Sequence, residues 1–134
     1  MKMLWYALML LSFASCKKDD VTDTLRDKLE GSWELRSRTS MSGQLMYPPG
    51  NGEILKFYRN GMYERKMHDI IAATANYDIN IRQDCFPRET NFAFTSSESS
   101  SGLPAYVSIK GDTLFFSSPN CYADGLDTYY QRLP

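Results

Sequence analysis

The chain has few of the residues from which catalytic, metal and nucleic-acid sites are usually built. Its 134 residues include one histidine, His68, and no Gly-x-Ser-x-Gly, phosphate-loop or His-rich metal motif. His68 directly precedes Asp69, so on a strand the two side chains would point to opposite faces and could not readily pair. The 15 basic and 16 acidic residues nearly cancel and form neither a basic stripe nor an acidic block. We therefore expect a non-enzymatic protein without metal ligands, a cofactor or a nucleic-acid partner.

Long hydrophobic runs are also missing, with one exception near the N-terminus. Residues 3–13 form an apolar run of eleven residues, whereas a transmembrane helix needs about 20. Lys2 precedes the run and the small residues Ala14 and Ser15 follow it, which is the order of a secretory signal peptide. The alternative is a buried helix of the folded domain, but the run has no amphipathic pattern and charged residues follow closely. We predict that residues 1–15 are a signal peptide that is removed.

The end of this run resembles the processing site of bacterial lipoproteins. Phe13-Ala14-Ser15-Cys16 is similar to a lipobox, and the charged residues 17–20 look like the surface-export tail of Bacteroidetes-type lipoproteins. The resemblance implies that Cys16 becomes the first mature residue and carries lipid, since several acyl chains hold a protein stably on a membrane. Residues 16–22 would then be a lipidated tether. The protein would lie in the cell envelope as an outer-membrane lipoprotein, periplasmic or surface-exposed.

Cysteine is scarce, and only two of the three cysteines remain once Cys16 is assigned to the lipid. Export would place Cys85 and Cys121 in an oxidising compartment, where a disulfide is expected. The bond would close a loop of about 36 residues and stabilise the domain by roughly 3 to 4 kcal/mol. A metal site or a catalytic thiol is the alternative, but neither cysteine belongs to a Cys-x-x-Cys motif. We predict the disulfide.

One short helix is predicted at the start of an otherwise all-β domain. Residues 24–27 (Thr-Leu-Arg-Asp) are typical of a capping box, Leu25 and Leu29 share one face, and Gly31 would end the helix. Beyond Gly31, apolar and polar residues alternate, which indicates strands with one wet face. The alternation predicts eight strands, near residues 33–41, 53–59, 62–69, 73–82, 88–96, 105–110, 113–118 and 128–133.

Tight turns and two longer loops join these predicted strands. Asn60-Gly61 is a strong hairpin signal, because both central residues of such a turn need positive φ, and residues 110–112 (Lys-Gly-Asp) predict a second hairpin. The Pro and Gly content of loop 42–52 argues against a regular strand there, and loop 96–104 is rich in serine. Short strands joined in this way predict an up-and-down antiparallel barrel or a sandwich.

Four short segments, in this order along the chain, resemble the lipocalin-like lipoproteins, small members of the calycin group. They are Gly31-x-Trp33, Leu55-x-Phe57 with Asn60-Gly61-x-Tyr63, Gly111-Asp112-Thr113-Leu114 and Tyr130-x-Arg132. The resemblance implies one lipocalin-like domain over residues 23–134, an eight-stranded antiparallel up-and-down barrel with a short N-terminal helix. In the resemblance, the segment Gly31-x-Trp33 opens the first strand. It implies that Trp33 closes the barrel floor and that Arg132 packs on its indole. We expect these three residues to be structural.

The interior of an eight-stranded barrel either fills itself or holds one small ligand. Fourteen side chains are predicted to point inward: Leu35, Leu55, Phe57, Tyr63, Tyr77, Ile79, Ile81, Phe92, Phe94, Val107, Ile109, Leu114, Phe116 and Tyr130. If they fill the barrel, the protein is an interaction or structural lipoprotein that presents loops 42–52 and 96–104 to a protein or glycan.

A pocket is the other hypothesis for the interior. A shallow apolar site at the barrel mouth, gated by the loop Tyr47-Pro48-Pro49-Gly50, would bind a small hydrophobic or amphipathic molecule. Its predicted lining residues are Tyr63, Tyr77 and Phe92. In both hypotheses we expect a monomer that is attached to a membrane through its N-terminal lipid.

Overall fold

The computed structural model describes residues 20–83, 90–98, 105–119 and 125–134, which form one helix and nine strands. The elements are α1 (Asp20–Leu29), β1 (Gly31–Ser40), β2 (Gly43–Met46), β3 (Glu53–Phe57), β4 (Met62–Met67), β5 (Ile70–Gln83), β6 (Thr90–Ser96), β7 (Ala105–Lys110), β8 (Thr113–Ser117) and β9 (Asp127–Arg132). The described helix is too short and too polar to cross a membrane. The predicted signal peptide, Cys16, Cys85 and Cys121 all lie outside the described residues.

Eight of the strands close into an antiparallel barrel, which confirms the predicted fold. Each strand from β3 to β8 pairs with the next, and β1 pairs with both β3 and β9. The closing seam runs from Trp33 opposite Arg132 to Thr39 opposite Asp127. Closure pairs the strand edges that an open sheet would leave exposed. The seam also defines two ends, a floor at Trp33 and a mouth at Thr39.

The ninth strand, β2, lies inside the predicted loop 42–52, so the expectation of no regular strand there is wrong for residues 43–46. β1 pairs with β3 only through residues 31–34. The upper half of β1 would therefore leave unpaired backbone groups, which cost free energy when they are not hydrogen-bonded. β2 turns back and pairs with this half, from Ser37 opposite Met46 to Ser40 opposite Gly43. Gly43 is the first residue of β2, and the other Pro and Gly residues of the loop follow the strand and do not interrupt it.

The helix begins earlier than predicted. It starts at Asp20, so Thr24 is an interior residue and not the capping residue, and residues 20–22 of the predicted tether are helical. Asp23 in the first turn suits the positive end of the helix dipole. Leu25 and Leu29 are buried as the four-residue spacing predicts. The helix contacts β5 and β7, and Leu29 packs in the barrel core close to Trp33. It thus covers the floor.

The predicted hairpins at Asn60-Gly61 and at residues 110–112 are confirmed, although the first has a different turn. Only Gly61 has a positive φ, of 82°. Asn60 instead accepts a hydrogen bond from the backbone N–H of Met62 through its side-chain Oδ1, at 3.1 Å. The prediction that both central residues need positive φ is therefore wrong at this position.

His68 and Asp69 form a turn and do not belong to a strand. β4 ends at Met67 and β5 begins at Ile70, with φ values of 50° and 66° at the two residues between them. Two residues in the left-handed region suit the twist of a tight hairpin. The predicted strand over residues 62–69 is therefore two residues too long. His68 is exposed, as expected for a surface residue.

Most residues that were predicted to point inward do form the core. Ten of the fourteen are buried, and Phe92, Phe94 and Ile109 pack against them. Ile81 is the exception, with 44% of its surface exposed. The pairing of β5 with β4 ends at Asn76, and below this residue β6 is the only described strand that pairs with β5. Ile81 therefore extends beyond the core.

Candidate functional site

The floor of the barrel is closed by a contact between Trp33 and Arg132. The Arg132 guanidinium carbon lies 4.0 Å from the centre of the Trp33 ring. Arg132 Nη1 donates to the carbonyl of Glu30 at 2.8 Å, and the Trp33 indole N–H donates to the carbonyl of Leu29 at 2.8 Å. These bonds occupy carbonyls at the C-terminal end of α1, which have no partner inside the helix. The predicted contact is present, and it ties the helix to the barrel.

Gly31 is required by the same contact. It has a φ of 124°, and a Cβ added to it would lie 2.9 Å from Arg132 Nη1. A larger residue would therefore push the guanidinium off the indole. Gly31, Trp33 and Arg132 thus act together at the floor, away from any open surface of the barrel interior.

The opposite end of the barrel contains a cavity of about 530 Å³. Its walls come from the upper halves of the strands: Arg38, Leu55, Phe57, Tyr63, Arg65, Phe94, Ser96, Glu98, Ala105, Phe116, Leu126, Thr128 and Tyr130. The volume falls within the range of small-molecule sites, about 300 to 1,000 Å³. The described residues at this end therefore leave a space of the size of a small molecule among their side chains.

The base of the cavity is aromatic. Phe57 stacks on Tyr63 with ring centres 5.4 Å apart, and Phe94 meets Phe116 edge-on at 5.1 Å. Tyr130 is also edge-on to Phe116, at 6.1 Å. Such pairs add to the stability gained from burial and hold the rings in place. The base is thus an apolar surface of rings that pack on one another.

A polar cluster formed by Tyr63, Arg65, Ser96 and Glu98 lies on one side of the mouth. Arg65 donates to Glu98 Oε1 from Nε at 2.9 Å and from Nη2 at 2.5 Å. The Tyr63 hydroxyl donates to Glu98 Oε2 at 2.7 Å and lies 2.8 Å from the Ser96 hydroxyl. The Glu98 carboxylate is therefore held by a charged and a neutral donor from one strand, β4.

The protonation of this cluster follows from its surroundings. Burial raises the pKa of Tyr63 to about 12, because the phenolate form is penalised away from water. Burial alone would also raise the pKa of Glu98, but the hydrogen bonds from Arg65 and Tyr63 outweigh it and the pKa is lowered. At neutral pH the cluster therefore contains a phenol, a guanidinium and a carboxylate.

A second pair, Arg38 with Glu53, lies on the other side of the mouth. Arg38 Nη2 donates to Glu53 Oε1, and the Arg38 guanidinium lies 5.6 Å from the centre of the Tyr47 ring. Tyr130 is close to both: burial first, and then the charge of Glu53, raise its pKa to about 12, while Arg38 acts in the opposite direction. The mouth therefore has two arginines, each neutralised by a glutamate.

Only one of the three predicted lining residues faces the cavity. Tyr63 lines it, but Tyr77 and Phe92 do not. Tyr77 packs behind the base, with its ring 5.3 Å from Phe57 and its hydroxyl donating to the carbonyl of Tyr58 at 3.2 Å. Phe92 pairs with Ile81 in the lower part of the barrel. Tyr77 and Phe92 support the core there.

The charged rim residues were not predicted, for a reason that lies in β1. The alternation along the sequence put Arg38 on the same face as Glu34. The pairing of β1 with β9 shifts register between Leu35 and Ser37, and beyond this bulge Arg38 faces the cavity. Arg65 could have been found, since Tyr63 and Arg65 are two residues apart on one strand and so share a face.

The predicted gate does not lie over the mouth. The backbone N–H of Gly50 donates to the Glu34 carboxylate at 2.8 Å, and the Asn51 side chain donates to the carbonyl of Leu35 at 2.7 Å. No residue from Tyr47 to Asn51 lines the cavity. Gly50 and Asn51 are thus held on β1, and Tyr47 packs against the core.

Comparison of the chain with protein-family models, with curated proteins and with solved structures gives no match. Among the residues that the structure describes, no three His, Cys, Asp or Glu side chains are grouped so as to hold a metal ion. The cavity at the mouth is the feature of the described residues that offers a built site.

Proposed function

We propose that this protein is a lipocalin-like lipoprotein that binds a small hydrophobic or amphipathic molecule at the mouth of its barrel. The observation that carries the proposal is the cavity of about 530 Å³, with an aromatic base and a charged rim. The floor contact between Trp33 and Arg132 supports the lipocalin-like assignment. The lipobox-like residues 13–16 support an anchor at Cys16 in the outer membrane.

The arrangement of the walls favours an amphipathic ligand. An apolar tail against Phe57, Phe94 and Phe116 would gain about 0.8 kcal/mol for each buried methylene group. Association itself costs on the order of 4 to 15 kcal/mol, so the tail has to bury several such groups. A polar end would reach the level of Arg38 and Arg65, where donors and acceptors are available.

Binding can be tested with a neutral apolar dye, N-phenyl-1-naphthylamine, whose fluorescence rises in apolar sites. We expect the protein to bind the dye and Ala105→Trp to abolish binding, because Ala105 lines the cavity and an indole would occupy it. Ala72→Trp is the matched control, since Ala72 is exposed on β5 and is not a lining residue. Equal dye binding by the two variants would argue against the cavity as the site.

The natural ligand and the anchor can be sought in one preparation. Native mass spectrometry of protein purified from the membranes of its own host should show a co-purified small molecule. The intact mass should correspond to a chain that starts at Cys16 with acyl chains attached. A mature chain that retains residues 1–15 would contradict the lipoprotein assignment.

A second candidate function is docking of a partner protein on the hairpin formed by β1 and β2. The observation that favours it is the exposure of three apolar side chains in and next to β2: Met41 is 76%, Leu45 63% and Met46 71% exposed. Exposed apolar groups of this kind occur at interaction sites. Leu45→Ser with Met46→Ser should then weaken capture of the partner and leave dye binding unchanged. Unchanged capture by this double variant would remove the candidate.

A further inference from the structure

The Glu98 carboxylate occupies a set of donors that face the cavity. Its Oε1 accepts from Arg65 at 2.9 and 2.5 Å, and its Oε2 accepts from the Tyr63 hydroxyl at 2.7 Å. Arg65 and Tyr63 both line the cavity directly above the aromatic base. A guanidinium and a phenol placed on the two oxygens of one carboxylate form a carboxylate-binding site. In this structure the site holds a carboxylate of the chain itself.

Glu98 is attached in a way that allows exchange, whereas Glu53 is not. Glu53 belongs to β3, its side chain is 10% exposed, and its backbone N–H is bonded to Asn51 Oδ1 at 2.9 Å. Glu98 lies in the turn after β6, and its side chain is 29% exposed. Ion pairs that solvent reaches contribute little to stability, typically about 0 to 1 kcal/mol. Glu98 can therefore turn toward water when another carboxylate takes its place on Arg65 and Tyr63.

We propose that the ligand of this cavity carries a carboxylate, which replaces that of Glu98 on Arg65 and Tyr63 while its apolar tail lies on the aromatic base. This inference rests on the proposed function and specifies the ligand class. The exchange keeps Arg65 paired with one negative charge, so no partly buried guanidinium is left without a partner. An alcohol offers no charge to Arg65, and an ammonium group would be repelled by it. An aliphatic monocarboxylate thus fits the donors and the walls together.

The test compares three amphiphiles with the same tail: decanoate, decanol and decyltrimethylammonium, each displacing N-phenyl-1-naphthylamine at neutral pH. We expect decanoate to bind more tightly than the other two. Glu98→Gln should tighten decanoate binding about fivefold to tenfold, because the competing carboxylate is gone, and should change decanol binding much less. Arg65→Gln should weaken decanoate binding about tenfold or more and should weaken decanol binding much less, because the alcohol has no charge to pair with the guanidinium.

Matched controls separate the local effect from a change in net charge. Glu64→Gln removes a carboxylate that lies 3.8 Å from Lys66 and does not line the cavity. Arg59→Gln removes a guanidinium that pairs with Asp27, outside the cavity. Both should bind decanoate as the unaltered protein does. Decanol binding by every variant shows that the barrel has folded with its cavity.

The outcomes distinguish the two proposals. If none of the three amphiphiles displaces the dye from the unaltered protein, the proposed binding function itself fails. If decanol and decanoate bind equally and neither Glu98→Gln nor Arg65→Gln changes that ratio, the carboxylate inference is overturned while the binding function stands. Preferential binding of the ammonium compound would also overturn the inference, since it would show that the charged group of the ligand pairs with Glu98 and not with Arg65.

Discussion

Individual side chains at the floor depend on one another through a single guanidinium. Arg132 lies over the Trp33 indole and donates to carbonyls of Lys28 and Glu30. It can do so only because Gly31 has no side chain on the path of Nη1. Gly31 follows the helix, where a glycine usually serves to end it. Here it is also needed for the contact of Arg132, on β9, with Trp33 on β1.

Two glycines allow this requirement to be separated from backbone strain. Gly31 and Gly43 have nearly the same φ, 124° and 125°, but a Cβ at Gly43 would meet nothing within 4 Å. Ala at either position has a strained backbone, which costs of order 1 to 3 kcal/mol. We expect Gly31→Ala to lose a further 1 to 3 kcal/mol or so, because it also displaces Arg132. Urea unfolding of the two variants measures the difference, and equal losses would contradict the packing role.

Two tyrosines at the cavity, Tyr63 and Tyr130, should lose their protons at a higher pH than an ordinary tyrosine does. Burial raises the pKa of Tyr63 and of Tyr130 from the ordinary 10.0 to about 12. The folded protein therefore holds these protons more tightly than the unfolded chain does. The resulting stabilisation is complete below pH 10 and is lost as the pH rises toward about 12.

Ultraviolet absorbance during alkaline titration follows tyrosinate formation directly. Tyr63→Phe and Tyr130→Phe should each remove one tyrosine from the late part of the curve and leave the early part unchanged. The midpoint of urea unfolding should fall between pH 10 and about 12 in the unaltered protein, with a smaller fall in each variant. Loss of signal from the early part of the curve would show that the residue concerned is not shielded by burial.

At the scale of the elements, the hairpins differ in how well their residues suit their turns. His68 and Asp69 both lie in the left-handed region, which residues with a Cβ rarely adopt. In the hairpin between β7 and β8, Gly111 takes the positive φ of 58°, and Asp112 does not need one. The backbone of the turn at His68 and Asp69 is therefore strained, and that of the turn at Gly111 and Asp112 is not.

This difference predicts opposite effects of the same substitution. Asp69→Gly should stabilise the protein by about 0.5 to 1 kcal/mol, because glycine adopts positive φ without the Cβ penalty. Asp112→Gly should destabilise it by about 0.4 to 1 kcal/mol, because it only adds freedom to the unfolded chain. Thermal unfolding of both variants is the measurement. A destabilised Asp69→Gly variant would show that the aspartate side chain contributes more than the turn strain costs.

The elements also show which parts of the fold could be predicted from the residues and which could not. Alternation with period two located the eight barrel strands, and the four-residue spacing of Leu25 and Leu29 located the buried face of the helix. Strand β2 could not be found in this way, since it forms to satisfy the edge that the longer β1 leaves open. Strand ends and register shifts depend on partners that are distant in sequence.

The candidate site was the part least accessible to sequence patterns. Tyr63 was found because it is an inward-facing aromatic residue on a regular strand. Arg38 was missed because the bulge after Leu35 reverses the faces of β1. Glu98 was missed because it lies in a turn, where no alternation indicates direction, and reaches Arg65 across 33 residues of chain. The positions of Arg38 and Glu98 thus depend on a bulge and on a turn, which a regular alternation does not reveal.

At the scale of the whole molecule, the two ends of the barrel differ in structure: one is sealed and the other contains a cavity. The floor is sealed by α1, Trp33 and Arg132, and the mouth contains the cavity and its charged rim. The long shared wall of strands connects them, but none of the floor residues lines the cavity. Stability and binding should therefore respond to changes at different ends.

One variant at each end tests this division. Arg132→Gln loses the stacking on Trp33, found at 4.0 Å, and the bonds to two helix carbonyls. We expect its free energy of unfolding to fall by about 1 to 3 kcal/mol, with dye affinity within about twofold of the unaltered protein below the unfolding transition. Ala105→Trp should do the reverse and lose dye binding with little change in unfolding, because it fills an existing cavity. If Arg132→Gln also abolished dye binding in the folded protein, the floor would be coupled to the mouth, and the ligand would reach deeper into the barrel than the aromatic base allows.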